Sequence, residues 1–176
     1  MGDDAMATEL YDLAIPPLVR GFTSLSAILA KGEAFGAEHG IAPGDLLASR
    51  LADDMAPLSR QIQMASDTGK GIGVRLGGLD PVAMPDTEAS FAELQERIAK
   101  TLAMIDRVSP DAINGKETAL VELQTPGGAL HFAGLDYLQG FALPNFYFHV
   151  TTAYAILRSK GAPLGKMDYL GAIPLK

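Results

Sequence analysis

The stretch from Leu79 to Ala89, LDPVAMPDTEA, does most to limit the folds open to this chain. It has two prolines and no apolar periodicity, so we expect an irregular connection between two helices. About a dozen extended residues reach roughly 35–40 Å, whereas a twenty-residue helix is about 30 Å long. The connection can therefore cross a whole helical bundle, which predicts that the two helices it joins run parallel. A short antiparallel pairing with a wandering loop is the alternative.

Four long segments carry apolar residues at helical spacing and are predicted to be helices. Helix one runs from about Glu9 to His39, where Gly40 stops it. Pro16-Pro17 is expected to kink its first turns or to separate them as a short piece. The others run from Pro57 to Gly77, from a capping box at Ser90 to Ile105, and from Pro144 to about Lys160.

The region before the last helix follows a different pattern. The stretch ALVELQTPGGALHFAG alternates apolar and polar residues around a Pro-Gly-Gly turn, which indicates a β-hairpin. With helices two and three parallel, helices one and four complete the arrangement. The predicted fold is all-α, an up-down-down-up four-helix bundle with a small β-hairpin before the last helix, in a single domain of residues 1–176.

Composition excludes several classes of function. The net charge of −7 and pI near 4.8 oppose binding to nucleic acid, and the 14 Lys and Arg residues are spread along the chain. The chain has no cysteine, so disulfides, zinc–thiolate sites and a cysteine nucleophile are excluded. The N-terminal stretch MGDDAMATEL is acidic and does not resemble a secretory signal, so we expect a cytoplasmic protein.

The segment from Tyr137 to Leu157 lacks Asp, Glu, Lys and Arg and reaches the length of a membrane span. It nevertheless contains Asn145, His149 and Pro144, and polar groups of this kind are costly in hydrocarbon. A buried central helix is the preferred interpretation, with no membrane partner.

Within this helix, Asn145 and His149 are four residues apart and share one face. Side chains at this spacing converge and can hold one metal ion or one polar ligand. An amide is a weaker ligand than imidazole for borderline metals. The competing interpretation is that Asn145 and His149 satisfy each other and the backbone inside the core.

The entry to helix two supplies two further candidates. Gln61 shares the apolar stripe of Leu58 and Ile62, so it should face inward and need a partner, which Asn145 or His149 would provide. Asp54 precedes Pro57 and is expected to cap this helix rather than take part in catalysis. The candidate ligand-binding residues are therefore His149, Asn145, Gln61 and Asp54.

The remaining motifs carry less chemistry. His39 is expected to cap helix one, and His131 should be solvated in the second hairpin strand. The chain's three histidines are not expected to meet, because His39 and His149 lie at opposite ends of the predicted bundle. TGKGIGVRLGG lacks the spacing of a phosphate loop and is read as a helix whose glycines allow close packing.

Several segments together resemble one uncharacterised bacterial family related to the DinB and YfiT-like proteins. They are IPPLVRGFTSLSAIL, LADDMAPLSRQIQMASD, FAELQERIAKT, and ALPNFYFHVTTAYAILR followed by GKMDYLG, and they cover nearly the whole chain. The resemblance implies an up-down-down-up four-helix bundle that is commonly a homodimer. Typical members hold a divalent metal with one histidine from helix two and a His-x-x-x-His pair on helix four, and several use it in thiol transfer or isomerisation.

This chain departs from that pattern. The pair on helix four is Asn145-x-x-x-His149, and the position on helix two falls near Gln61, so only His149 carries over as a metal ligand. Two hypotheses follow. In the first, the bundle lacks the usual metal site and binds a small molecule or acts as a structural dimer. In the second, it is a transferase of the thiol-transfer type that uses a divalent metal such as zinc, nickel or manganese.

Overall fold

The structure of the protein is a computed structural model that describes residues 8–173. The acidic N-terminal stretch, residues 1–7, lies outside the described residues. In chain order, the elements are α1 (Leu10–Glu38), α2 (Pro43–Leu47), α3 (Leu58–Arg75), α4 (Phe91–Ile105), α5 (Pro110–Ile113), β1 (Leu120–Thr125), β2 (Gly128–Ala133), α6 (Gly134–Asp136), a π-helical turn (Tyr137–Ala142), α7 (Leu143–Ser159) and α8 (Lys166–Leu170).

Four long helices, α1, α3, α4 and α7, enclose the core. Helix α1 packs against α4 and α7, and α3 packs against the same two helices. The predicted apolar stripe of α3 is buried along its length, from Leu58 through Ile62 and Ala65 to Ile72. A predominantly helical domain with a small hairpin is therefore confirmed.

Helix α1 is continuous through Pro16 and Pro17, so the prediction of a separate short piece was wrong. The two prolines remove only the amide donors that would bond to the carbonyls of Asp12 and Leu13. Burial of Leu10, Ala14, Ile15 and Leu18 on the inner face holds these first turns in place. At the other end, Nδ1 of His39 lies 2.9 Å from the carbonyl oxygen of Phe35, so the predicted cap is confirmed.

The glycines of α3 allow the close approach predicted from the sequence. A β-carbon added to Gly69 would lie 2.7 Å from Cε2 of Phe22 and 3.2 Å from Cδ1 of Ile105. The backbone of α3 therefore rests directly on side chains from α1 and α4. A side chain at this position would push the three helices apart.

The connection from residue 79 to 89 contains no helix or strand, as predicted. Ser90 begins α4, and its hydroxyl accepts a hydrogen bond from the Glu93 amide at 3.2 Å. The Glu93 carboxylate accepts from the Ala89 amide at 2.6 Å, one residue before the position expected for a capping box.

The predicted hairpin is confirmed, with Val121 paired to Phe132 and Leu123 paired to Leu130. The last long helix begins earlier than Pro144, because α6 and the π-helical turn lead into α7 without a break. Within it, the inner face is buried, including Phe146, Val150 and Ile156, as expected for a central helix.

Among residues 8–173, the helix that is long and apolar enough to span a membrane is α1, near the N-terminus, rather than the segment from 137 to 157. Half of its most apolar window is buried against the other helices.

Candidate functional site

The site is built on the facing sides of α3 and α7. His149 is 7% exposed, and its Nδ1 lies 2.8 Å from Oε1 of Gln61. The Gln61 amide nitrogen donates to the carbonyl oxygen of Ala56 at 2.9 Å, just before α3 begins. The prediction that Gln61 faces inward and bonds to a residue of the last helix is confirmed.

This chain of hydrogen bonds fixes the protonation of the ring. Because Nε2 of Gln61 donates to Ala56, Oε1 is the atom that faces the imidazole, and a carbonyl oxygen can only accept. Nδ1 of His149 therefore carries the proton, and Nε2 carries the lone pair. None of the residues from 8 to 173 forms a hydrogen bond with that Nε2.

The electrostatic surroundings keep the ring neutral. Burial lowers the pKa of His149 below its ordinary value, and the positive charge of Arg60 lowers it further. A neutral, oriented imidazole can accept a hydrogen bond or a proton at Nε2 near neutral pH.

Asn145 lies one turn earlier on α7, and its side chain also reaches α3. Its Nδ2 donates to the hydroxyl of Thr68 at 2.8 Å, and that hydroxyl donates to the carbonyl of Met64 at 2.8 Å. Asn145 and His149 thus share a face but do not bond to each other; each has a partner on α3. Thr68 was not identified from the sequence, although it lies seven residues after Gln61 and so on the same face.

Asp54 is not part of this arrangement. It lies in an exposed turn before α3, and the N-cap of α3 is Pro57, with no side-chain hydrogen bond at the cap. The prediction that Asp54 caps the helix was wrong. The first amide of the helix, that of Leu58, donates instead to the carbonyl of Ser49 at 2.9 Å.

The histidines contact different parts of the structure. His39 bonds to Phe35, and exposed His131 lies 3.2 Å from Glu122 in the hairpin, so its predicted exposure is confirmed. In the part of the chain that the structure describes, no group of three or more His, Asp or Glu side chains is placed to hold a metal ion. One imidazole flanked by two amides does not fit the donor set of a transition-metal site.

A second polar group on α3 and α4 was missed by the sequence analysis. The side chain of Arg97 is 1% exposed and forms ion pairs with Asp67, Asp86 and Glu88 at 2.9–3.0 Å. Its sequence signal was weak but present, because Arg97 lies three residues after Leu94, a member of the predicted apolar face of this helix.

The fold and this site define a class: a DinB-like, mostly helical protein in which one histidine and two amides lie between α3 and α7. Residues 10–170 match the family described as a domain of unknown function (DUF1993), and the chain belongs to that family. It is also similar to a DinB family member protein from Shewanella denitrificans, known from a crystal structure at 1.83 Å resolution. The two chains are 38% identical, with a TM-score of 0.86 over 95% of this chain and 94% of that one. No functionally curated protein matches the chain.

Proposed function

We propose that the protein binds a small molecule at the Gln61–His149 pair. The observation that supports this is the oriented imidazole, in which Gln61 accepts from Nδ1 at 2.8 Å and Nε2 has no hydrogen-bond partner between residues 8 and 173. A neutral ring held in one tautomer by a second residue is arranged to receive a hydrogen bond from a ligand.

Asn145 provides the second contact in this proposal. Its Nδ2 is occupied by Thr68, so the atom that it offers is Oδ1, also an acceptor. Side chains one turn apart are separated by about 5–6 Å. The ligand class is therefore a small molecule with two hydrogen-bond donors at about that spacing, such as a polyol or an amino alcohol. Asp54 would act only from the rim, since it lies in the exposed turn before α3.

Ligand-observed NMR with a panel of polyols, amino alcohols and thiols tests this proposal. At least one compound should give a saturable signal that His149→Gln and Asn145→Leu both weaken, whereas His131→Gln leaves it unchanged because His131 is exposed in the hairpin. A nitrogen-15 spectrum of labelled histidine should show His149 protonated at Nδ1. Binding that survives loss of both α7 side chains, or a proton on Nε2, would overturn the proposal.

The divalent-metal transferase is the second candidate, and the same fixed imidazole is what favours it. A histidine that ligates a metal usually donates its other ring proton to a nearby acceptor, as His149 does to Gln61. The neighbouring donors, the side-chain amides of Gln61 and Asn145, do not fit a transition-metal site. Metal content per chain, measured on untagged protein after incubation with zinc, nickel and manganese, separates the two candidates. One equivalent that His149→Ala removes would favour the transferase.

We also propose the up-down-down-up course of the bundle. The long helices α3 and α4 meet at contacts that advance together along both, from Ser66–Thr101 to Gly69–Ile105, which supports a parallel pair. The contacts of α3 with α7 advance in opposite directions, from Gln61–His149 to Thr68–Asn145, which supports an antiparallel pair.

A homodimer in the cytoplasm completes the proposal. Support for the dimer comes from three exposed apolar side chains, Val19 on α1, Met167 on α8 and Ile173 after α8. Sedimentation velocity should show a dimer that Met167→Glu dissociates. Leu130→Glu, at an exposed apolar position of the hairpin, is the matched control and should leave the dimer intact.

A further inference from the structure

An exposed aromatic ring stands beside the Gln61–His149 pair. Phe148 is 56% exposed, and among residues 8–173 it is the only exposed phenylalanine or tyrosine. Its ring meets the His149 ring edge to face, with the two centroids 5.4 Å apart. A single exposed apolar side chain is common on a protein surface. The position of this one, directly against the oriented imidazole, is what gives it a role.

The unpaired nitrogen of His149 is open to solvent. Among the described residues, two side-chain atoms are both sealed from solvent and without a hydrogen-bond partner, Oγ of Ser24 and Nε of Arg97. Nε2 of His149 also has no such partner, but it is not one of the sealed atoms. A molecule at the surface of α7 can therefore reach it.

Three residues of α7 surround one patch of this surface. Asn145 lies one turn before Phe148 and His149, and the helical repeat places it between the two. The patch thus has the Phe148 ring on one side and two acceptors, Nε2 of His149 and Oδ1 of Asn145, on the other. This arrangement fits a molecule with an apolar face of C–H groups and hydroxyl groups at its edge.

The charges near the patch favour an uncharged ligand. Gln61 and Asn145 carry no charge, and burial keeps His149 neutral. The charge that acts on the imidazole is that of Arg60, and it is positive, so a protonated amine would be repelled. Arg60 is already ion-paired with Asp86, so it is not a free cation for an anionic ligand.

We propose that the molecule bound at the Gln61–His149 pair is an uncharged cyclic polyol of the pyranose type, and that Phe148 is the residue that selects it. Two hydroxyl groups donate to Nε2 of His149 and Oδ1 of Asn145, while the C–H face of the sugar ring packs on Phe148. This inference rests on the proposed function, because it uses the same two acceptors. It narrows the ligand class, since an open-chain polyol has no rigid apolar face and an amino alcohol is charged.

Saturation-transfer difference NMR on the full chain tests the inference. The probes are the methyl pyranosides of glucose, galactose and mannose, each compared with its open-chain counterpart, sorbitol, galactitol or mannitol. At least one pyranoside should bind saturably and roughly threefold to tenfold more tightly than its counterpart, as expected for packing on one aromatic ring. Equal affinity of the ring and the open chain, or no saturable binding of any pyranoside, overturns the inference.

A charged derivative tests the electrostatic part. The 6-amino-6-deoxy form of the same pyranoside keeps the ring but carries a protonated amine at neutral pH. It should bind more weakly than the parent pyranoside, because Arg60 repels it. Tighter binding of the amine would show that the site selects a cation and would overturn the inference.

Variants of Phe148 locate the selective contact. Phe148→Ala should weaken pyranoside binding roughly threefold to tenfold and remove the preference over the open chain. Phe148→Trp keeps an aromatic surface and should keep the preference. Both changes are at an exposed position, so the midpoint of urea unfolding should barely move. Leu130→Ala, at an apolar position of the hairpin that is 45% exposed, is the matched control and should leave binding unchanged.

The protons of the bound sugar supply an independent readout. The ring C–H protons should receive more saturation than the O-methyl protons, because they lie against Phe148, and Phe148→Ala should remove this difference. Polyol binding that requires His149 and Asn145 but is unaffected by Phe148→Ala would overturn the inference and leave the proposed function standing. Pyranoside binding that survives both His149→Gln and Asn145→Leu would overturn the two together.

Discussion

Two buried polar side chains pack against α3 in opposite ways. His149 is neutral, has one partner at 2.8 Å, and keeps a ring nitrogen without a hydrogen bond to any described residue. Arg97 is charged and is surrounded by Asp67, Asp86 and Glu88. Burial lowers the pKa of Arg97, but its hydrogen bond with Glu88 and the neighbouring negative charges outweigh burial and raise it. Arg97 is therefore held by ion pairs, whereas His149 keeps a nitrogen that can accept a hydrogen bond.

The difference has a physical cause. A guanidinium cannot give up its proton at ordinary pH, so a buried arginine must be neutralised by its neighbours. An imidazole can remain neutral, and one acceptor is enough to fix its tautomer. The Arg97 group also ties the connection from 79 to 89 to the bundle, through the carbonyl of Pro85 and the carboxylate of Glu88.

The largest effect is expected at Arg97. Arg97→Met leaves the largely buried Glu88 without its cation, while Asp67 keeps its pair with Lys70, and the loss should lower the free energy of unfolding by about 3 kcal/mol. Urea denaturation measures this loss. Lys100→Met, which removes a lysine from an exposed pair on the same helix, should cost less than about 0.5 kcal/mol. Equal effects of the two variants would contradict the comparison.

A smaller effect is expected at the histidine pair. Gln61→Leu leaves Nδ1 of His149 without an acceptor, so it should cost about 1–3 kcal/mol. Adding His149→Leu removes the unsatisfied donor as well, and the double variant should recover part of the loss. Denaturation of the two single variants and the double variant completes the cycle, and strict additivity would show that the pair is not coupled.

The dependence of stability on pH separates the two regions further. The pKa of folded His149 lies below its ordinary 6.5, so the unfolded chain binds that proton more readily and stability falls as the pH drops below about 6.5. Burial raises the pKa of Glu88, but its hydrogen bonds from Arg97 and Gln63 outweigh burial and lower the pKa below its ordinary 4.5. Its contribution is therefore complete above about pH 4.5 and is lost in stronger acid.

Urea denaturation between pH 3 and pH 8 measures both windows. His149→Gln should remove the fall in stability below pH 6.5 and leave the fall below pH 4.5. Glu88→Gln should do the reverse. Glu93 and Asp168 also have pKa values lowered by hydrogen bonds, so every variant should still lose some stability in acid. A wild-type stability that rises between pH 6.5 and pH 5 would have the wrong sign for a buried neutral histidine.

The smallest effect is expected at the hairpin histidine. His131→Gln removes an exposed contact with Glu122, so the midpoint of urea unfolding should barely change. This variant is the reference for the others, because a large change would show that the hairpin contributes more than its exposure indicates.

The helices could be predicted from the sequence because the buried face of a helix places apolar residues three or four positions apart. Leu58, Ile62, Ala65 and Ile72 recur at that spacing, and all are buried. The inward position of Gln61 followed from the same stripe. These properties depend on residues near one another in the chain.

The partners of polar groups could not be predicted as well, because they depend on neighbours distant in the chain. Asp54 was expected to cap α3, but the N-cap is Pro57, three residues later, and the chain places Asp54 in an exposed turn. Arg97 gave little warning, since its partner Asp67 lies thirty residues earlier on another helix. A charged residue on the apolar face of a predicted helix indicates a buried ion pair whose partners lie elsewhere in the chain.

The bare backbone at Gly69 has a practical consequence for stabilising this protein. Replacing helical glycines by alanine is a standard route to higher melting temperatures, because it restricts the unfolded chain. At Gly69 the added methyl would meet Phe22, so that position must stay as it is. Gly44, in α2, has no heavy atom within 4 Å of the added carbon, and an engineer would begin there.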